Sequence, residues 1–286
     1  MNAIKLASAQ IACHAGDINK NVQKHLDFIS SARSEGVDVL VFPELSLTDY
    51  LSSPDISSLS RTISDPEIGA ILNATVGMAV SFGFIEAAEN GRFYISQALA
   101  NDGAILNIHR KINLPSYGKL VENRYYTAGD SLSLVDVKNS LVATLICADS
   151  RNPALTWLSA LNGAELLLHP IASVKSAVGP DFDIPANWEI NLRYMAMNYG
   201  LPIVMTNHCG HRGSLDFWGG SRIINAFGAE LARAGESEEL IFAEIDPNDS
   251  RKVRHLLPTV RCSDPQFIAA ELDRFLQHHH YRSNHN

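Results

Sequence analysis

Short apolar runs of strand length alternate with amphipathic stretches along most of this chain, and that alternation leaves few folds open. Lys5-Leu-Ala-Ser-Ala-Gln-Ile-Ala12 reads as a strand. Asp17 then stands as a helix N-cap, Val22, Leu26, Ile29 and Ala32 follow at helical spacing, and Gly36 sits at the C-cap. Further strands are expected at 37–42, 77–85, 93–100, 105–109, 132–136, 141–146, 165–169, 202–206, 220–225 and 240–245. Helices are expected near 66–73, 153–162, 186–199 and 265–277. Strand–helix alternation predicts an α/β fold, and the meander from 77 to 109 adds antiparallel pairs, so the sheets should be mixed. No linker-like stretch and no repeat divides the 286 residues. One domain is expected over 1–276, followed by a polar, His-rich tail at 277–286 whose default reading is a solvated terminus.

Three of the strand-like runs end in a chemically loaded residue. Val37-Asp-Val-Leu-Val-Phe-Pro-Glu44 ends in a carboxylate, and Ile105-Leu-Asn-Ile-His-Arg-Lys111 ends in an ammonium. Leu141-Val-Ala-Thr-Leu-Ile-Cys147 ends in a thiol, with Asp149, Arg151 and Pro153 opening a helical pattern behind it. Strand ends on one edge of a sheet converge on a common crevice in α/β folds. A lone Cys is more often a small buried hydrophobe than a nucleophile. A Glu–Lys pair held next to it changes that balance, because a buried ion pair is a costly way to gain stability.

Each of the three segments also resembles a signature of the nitrilase superfamily of carbon–nitrogen hydrolases, and in that family's order. The segments are Phe42-Pro-Glu-Leu-Ser-Leu-Thr-Asp-Tyr50, Arg110-Lys-Ile-Asn-Leu-Pro115 and Ile146-Cys-Ala-Asp-Ser-Arg151. Tyr117 to Asp130 is similar to the family's loop with a second glutamate, here Glu122. Trp188 to Asn198, Thr206 to Gly210 and Gly219 to Gly228 resemble its later helix and last strands. The chain departs from the usual pattern at Ala148, Asn152, Ala154 and Met197, none of which removes a catalytic group.

The resemblance implies an αββα sandwich, two mixed sheets flanked by helices, which commonly dimerises. It implies that Cys147 is a nucleophile, Glu44 a proton carrier, and Lys111 a cation favouring both thiolate and oxyanion. Glu122 would position Lys111 and substrate, and the Ala148 N–H would be a second oxyanion donor. Tyr50, Tyr117, His169 and Trp188 are expected at the pocket because they flank the motifs. Arg151 could meet a substrate carboxylate, but the favoured expectation is that it orders the turn as a partner of Asp149. The reaction needs no metal or organic cofactor. Asp149, in place of the nitrilases' Trp-Glu, points to a small linear amide as substrate. A carbamoyl amine, a nitrile, acyl transfer to an amine, or a catalytically silent binding relative are the alternatives. Leu114-Pro-Ser-Tyr-Gly118 is similar to the glutamine-hydrolysing domain of NAD synthetases.

Composition bounds partners and compartment. The net charge is −8, from 23 basic and 31 acidic residues, which argues against nucleic-acid binding. No apolar stretch approaches the ~20 residues of a membrane span. The N-terminal segment reads straight into a strand pattern, and four scattered Cys make no disulfide framework. A cytoplasmic protein with reduced thiols is expected. His208-Cys209-x-His211 looks like metal ligands but lacks a second paired motif.

Overall fold

The computed structural model describes residues 3–279 apart from 52, 90 and 119. The first half runs β1 (Ile4–Gln10), α1 (Ile18–Ser34), β2 (Val39–Val41), α2 (Ile56–Leu59), α3 (Pro66–Asn73), β3 (Ala79–Ala87), β4 (Phe93–Asn101) and β5 (Ala104–Arg110). The middle runs β6 (Leu134–Val137), β7 (Ser140–Thr144), α4 (Pro153–Leu161), β8 (Leu166–Pro170), α5 (Ile184–Tyr199) and β9 (Ile203–Thr206). The chain continues through β10 (Cys209–Arg212), β11 (Leu215–Trp218), β12 (Arg222–Ile224), β13 (Glu230–Arg233), β14 (Glu239–Ile245), α6 (Asn248–Leu256) and α7 (Pro265–His279). The helix expected over 265–277 thus extends into the His-rich stretch, and residues 280–286 lie outside the described residues.

Two six-stranded sheets form, in the orders β14-β1-β2-β3-β4-β5 and β13-β12-β9-β8-β7-β6, with β10-β11 as a separate hairpin. Strands β1, β2 and β3 are parallel, as are β7, β8 and β9, and the remaining pairs are antiparallel. Both sheets are therefore mixed.

Side-chain alternation sets the layers. Ile4 and Leu6 of β1, Val39 and Val41 of β2, Val142 of β7 and Leu166 and Leu168 of β8 meet in one apolar layer between the sheets. Ala7, Ala9, Leu40 and Phe82 face the other way, onto Ile18, Val22 and Ile29 of α1 and Ile68 and Ile71 of α3. Ala143, Leu167, Ile203 and Met205 likewise face Trp188, Leu192, Met195 and Tyr199 of α5. The result is a four-layer αββα sandwich. Ser8 Oγ and Thr206 Oγ1, 2.6 Å apart, tie the two sheets across their polar rim.

Helix α1 starts where the sequence says it should. Asp17 accepts a hydrogen bond from Lys20 N at 3.1 Å, and Gly36 follows the C-cap at φ +69°. One glycine is fixed by packing. An added Cβ at Gly83 on β3 would lie 2.4 Å from Leu45 N and 2.8 Å from Pro43 O, so only glycine lets the Glu44 loop cross β3. Gly83→Ala should therefore cost about 1–3 kcal/mol by overpacking. The expected result is a lower denaturation midpoint at an unchanged slope, together with reduced turnover as the Glu44 loop is displaced.

Candidate active site

The sequence suggested that three strand ends share one sheet edge; the structure draws them from two sheets. Glu44 follows β2 and Lys111 follows β5 in the first sheet, while Cys147 follows β7 in the second. The parallel course of β1–β3 and of β7–β9 brings these ends to the same rim of the sandwich.

The Glu44 loop is pinned to its neighbours by backbone bonds. Phe42 N donates to Ser81 O at 2.8 Å, Leu47 N donates to Gly83 O at 2.9 Å, and Gln97 Nε2 donates to Phe42 O at 3.1 Å. Lys111 N donates to Ile95 O, and Gly129 N donates to Lys111 O, both at 2.8 Å. A Cβ on Gly129 would stand 2.2 Å from Arg110 O, so this loop too needs glycine to close over the strand end. Cys147 opens a 3₁₀ turn, Cys147–Arg151, with φ +45°, a left-handed conformation that non-glycine residues seldom adopt.

Asp149 joins these pieces. Its fully buried carboxylate accepts from Ile146 N (3.0 Å) on the Cys147 turn. It also accepts from Ile112 N (3.0 Å), Asn113 N (2.8 Å) and His109 Nε2 (2.9 Å), all flanking Lys111. The expected Asp149–Arg151 pairing does not form. Arg151 instead donates from Nη1 to Asn187 Oδ1 at 2.5 Å and stacks on Trp188 at 4.2 Å. The turn's own bonds absorb Asp149 and leave Arg151 to the pocket.

Lys111 is completely buried between two carboxylates. Its Nζ lies 2.6 Å from Glu44 Oε1 and 2.9 Å from Glu122 Oε1, and Tyr50 OH donates to Glu122 Oε1 at 2.9 Å. Glu44 Oε2 has no hydrogen-bond partner among the described residues. Burial, opposed by Lys111 and reinforced by Glu44, pushes the Glu122 carboxyl up to about 7. Burial, then Glu44, pushes the Cys147 thiol up to about 12, with Lys111 pulling the other way. Lys111 thus favours the thiolate, as expected, but desolvation and the two acidic neighbours outweigh it, so the thiol must lose its proton to a base before it attacks.

Cys147 and Glu122 open onto a cleft of about 280 Å³. Tyr50, Tyr117, Ala148 and Trp188 line it, as the sequence suggested. His169 does not. Its Nδ1 donates to Leu145 O at 2.8 Å and its Nε2 sits 3.1 Å from Ser150 Oγ, so it braces the Cys147 turn from behind. Burial drops His169 to about 4, which keeps the ring neutral for that role. The walls that sequence reasoning missed come from the loop after β8, notably Val174, Val178 and Phe182, and Arg151 joins them in place of its expected role on the turn. His208, Cys209 and His211 do not gather round a common point: His211 pairs with Asp216 at 3.1 Å on the surface, while His208 turns inward.

A four-layer αββα sandwich with a cysteine turn at the shared rim of its sheets is the architecture of nitrilase-like hydrolases. The chain belongs to the carbon–nitrogen hydrolase family, whose model matches residues 5–255. It is 31% identical over 268 residues to a glutamine-dependent NAD(+) synthetase of Thermotoga maritima, covering 91% of this chain but only 45% of that protein. The chain thus spans about half the length of that relative. It is 25% identical to an omega-amidase of Homo sapiens, over 96% of this chain and 100% of that one. A carbon–nitrogen hydrolase from Helicobacter pylori G27 superposes with a TM-score of 0.84 at 24% identity, over 95% and 99% of the two chains. No helix among the described residues is long and apolar enough to cross a membrane.

The raised Glu122 carboxyl makes a pH prediction. Its folded-state value of about 7 lies above the ordinary carboxyl value of about 4.3. The folded chain therefore binds the proton more tightly than the unfolded chain. The stability this confers is complete below the unfolded value and is lost as pH rises through the folded one. Glu122→Gln cannot titrate. The variant is expected to lose less stability than wild type between about pH 5 and about pH 8 in denaturant titrations; parallel pH profiles would refute the assignment.

Proposed function

We propose that this chain hydrolyses a small amide through a thioester on Cys147. The observation that carries the reading is Lys111 Nζ at 2.6 Å from one oxygen of Glu44 while the other oxygen is unpartnered, beside a thiol that opens to a cleft.

In this reading Glu44 takes the Cys147 proton as sulfur attacks the amide carbonyl. General-base help is needed because the resting thiol is neutral. The oxyanion forms against the Lys111 ammonium and the Ala148 N–H, which lies in the first turn of its 3₁₀ segment and has no intrahelical partner. Glu44 returns the proton to the departing amine or ammonia, leaving the acyl group on sulfur. Water, deprotonated by Glu44, then cleaves the thioester, and Glu44 passes that proton to the departing Cys147 sulfur, which frees the acid and restores the thiol. Glu122, bridged to Tyr50, holds Lys111 in place through both steps.

The cleft also narrows the substrate. Its walls are mostly apolar, and Arg151 enters them with its Nη1 on the neutral amide oxygen of Asn187. An acyl group with an apolar segment and a distal carboxylate fits that environment. Glutamine is a second reading within the same chemistry, favoured by the likeness to the NAD(+) synthetase.

Ammonia release across matched aliphatic amides, carboxylate-bearing amides, glutamine, carbamoyl amines and nitriles tests this reading. Amides should turn over, the matching nitriles should not, and intact-protein mass spectrometry should show an acyl adduct on Cys147. Nitriles reacting faster than every amide would overturn it. Cys147→Ala should lose several powers of ten in rate with the fold intact. Glu44→Gln should lose roughly 10²–10⁴. An unchanged rate in either variant refutes its role.

Arg151→Met gives a separate measurement. Loss of a charged hydrogen bond should raise KM for a carboxylate-bearing amide by about 10- to 100-fold. The kinetics of its uncharged counterpart should move little. An equal effect on both substrates would reduce Arg151 to a packing residue.

A further inference from the structure

The loop that carries Glu44 and Tyr50 holds a second cluster, none of whose members lines the cleft. Cys13 Sγ, a carboxylate oxygen of Asp49 and a ring nitrogen of His208 lie within 4.8 Å of one another, and all three residues are buried. They come from three separate places: the turn after β1, the loop after β2, and the link from β9 to β10.

The histidine is oriented as a ligand. His208 Nε2 stands 2.6 Å from Glu44 O, and a carbonyl only accepts, so Nε2 carries the proton. The Nδ1 lone pair then faces Asp49 Oδ1 at 3.6 Å, with no hydrogen-bond partner among the described residues and no exposure to solvent. Metal-binding histidines are commonly held in this way, with the second ring nitrogen donating to a backbone carbonyl. Asp49 offers its carboxylate at φ +67° and gives its other oxygen to Arg212 Nε at 2.7 Å.

We propose that Cys13, Asp49 and His208 form a buried site for a thiophilic cation, Zn²⁺ or Cu⁺. Sulfur, imidazole nitrogen and one carboxylate oxygen are a donor set for such ions, whereas Mg²⁺ and Ca²⁺ require oxygen alone. Binding releases the Cys13 thiol proton to solvent as the sulfur–metal bond forms, and nothing is oxidised or reduced. Thiolate and carboxylate then carry two negative charges against Arg212 and the ion, so a monovalent cation balances the site and a divalent one leaves a single excess charge. The ion fastens the Glu44–Tyr50 loop through Asp49 itself and through His208, whose Nε2 donates to Glu44 O at 2.6 Å, while the bond from the Cys13 thiol to Ser46 O at 3.2 Å is given up with the thiol proton. This site stands independently of the proposed hydrolysis.

The test uses the full chain carrying Cys147→Ala and Cys262→Ala, which removes the two thiols open to solvent. After equilibration with Co²⁺ and desalting, a thiolate-to-cobalt charge-transfer band in the near ultraviolet is expected. Zn²⁺ should bleach it at one equivalent, and one proton should be released per ion. Adding Cys13→Ala or His208→Gln should abolish the band and weaken retention at least tenfold, with folding checked by circular dichroism. A folded parent without the band overturns the site, even if Zn²⁺ is retained by the C-terminal histidines. A Cys13→Ala variant that keeps the band overturns it as well. Should that variant fail to fold, adding Cys209→Ala to the parent decides: the band should persist, and its loss would place the thiolate on Cys209 and overturn the site.

Discussion

A single buried carboxylate joins the two halves of this molecule. Asp149 sits on the turn that follows the second sheet's β7, yet three of its four hydrogen bonds reach the segment around Lys111 that ends the first sheet's β5. Hydrogen bonds to a charged group contribute about 1.5–3 kcal/mol each, and a buried carboxylate left without them would be very costly. The four donors therefore specify one relative placement of the Cys147 turn and the Lys111 strand end. Apolar packing between the sheets is non-directional and tolerates small slips. The Asp149 bonds are directional, so they fix the register of sulfur against ammonium in a way that the core does not.

Charge at the site is deliberately unbalanced. One ammonium, Lys111, serves two carboxylates in a space that excludes water. Isolated, such a cluster would be a poor source of stability, because desolvation offsets the ion-pair attraction. Its effect is to divide the titrating groups. Glu122 is pushed toward neutral pH, and the Cys147 thiol is pushed far above it. A protonated thiol resists adventitious oxidation, since the thiolate is the reactive form. In the proposed reaction, attack waits for a substrate whose developing oxyanion gives Lys111 a new partner as Glu44 takes the proton.

Much of this was legible in the chain. The alternation of strand and helix patterns fixed the class, Asp17 and Gly36 bracket α1, and Glu44, Lys111 and Cys147 do end three strands at one rim. Their division between two sheets was not legible, since periodicity reports burial and not partners. His169 shows the same limit: every residue of β8 from Leu166 to Pro170 is buried, so no alternation says which face points at the cleft. Helix α6 escaped notice because only Ser250 and Val253 are buried on it, which leaves no apolar stripe. The β10–β11 hairpin escaped for a different reason. Gly213 at φ +56° and Ser214 form its two-residue link, but the flanking Cys209-Gly-His-Arg212 is too polar to read as a strand.

Backbone strain marks where the fold yields to the site. Among the described residues, six non-glycine positions take positive φ, and three of them are Leu45, Asp49 and Cys147. Leu45 and Asp49 bracket the loop that presents Glu44 and leads into Tyr50; Cys147 begins the turn that presents the thiol. Residues in this region cost of order 1–3 kcal/mol and persist only where their surroundings over-determine them. Here those surroundings are Gly83 and Gln97 against the Glu44 loop, Arg212 and His208 against Asp49, and Asp149 with His169 behind Cys147. Tyr117, Val178 and Phe182 lie on loops and remain substantially exposed. The proposed reacting groups thus sit on over-determined strand ends, while the outer walls of the cleft sit on loops free to vary, an arrangement that lets one scaffold change its ligand without moving its chemistry.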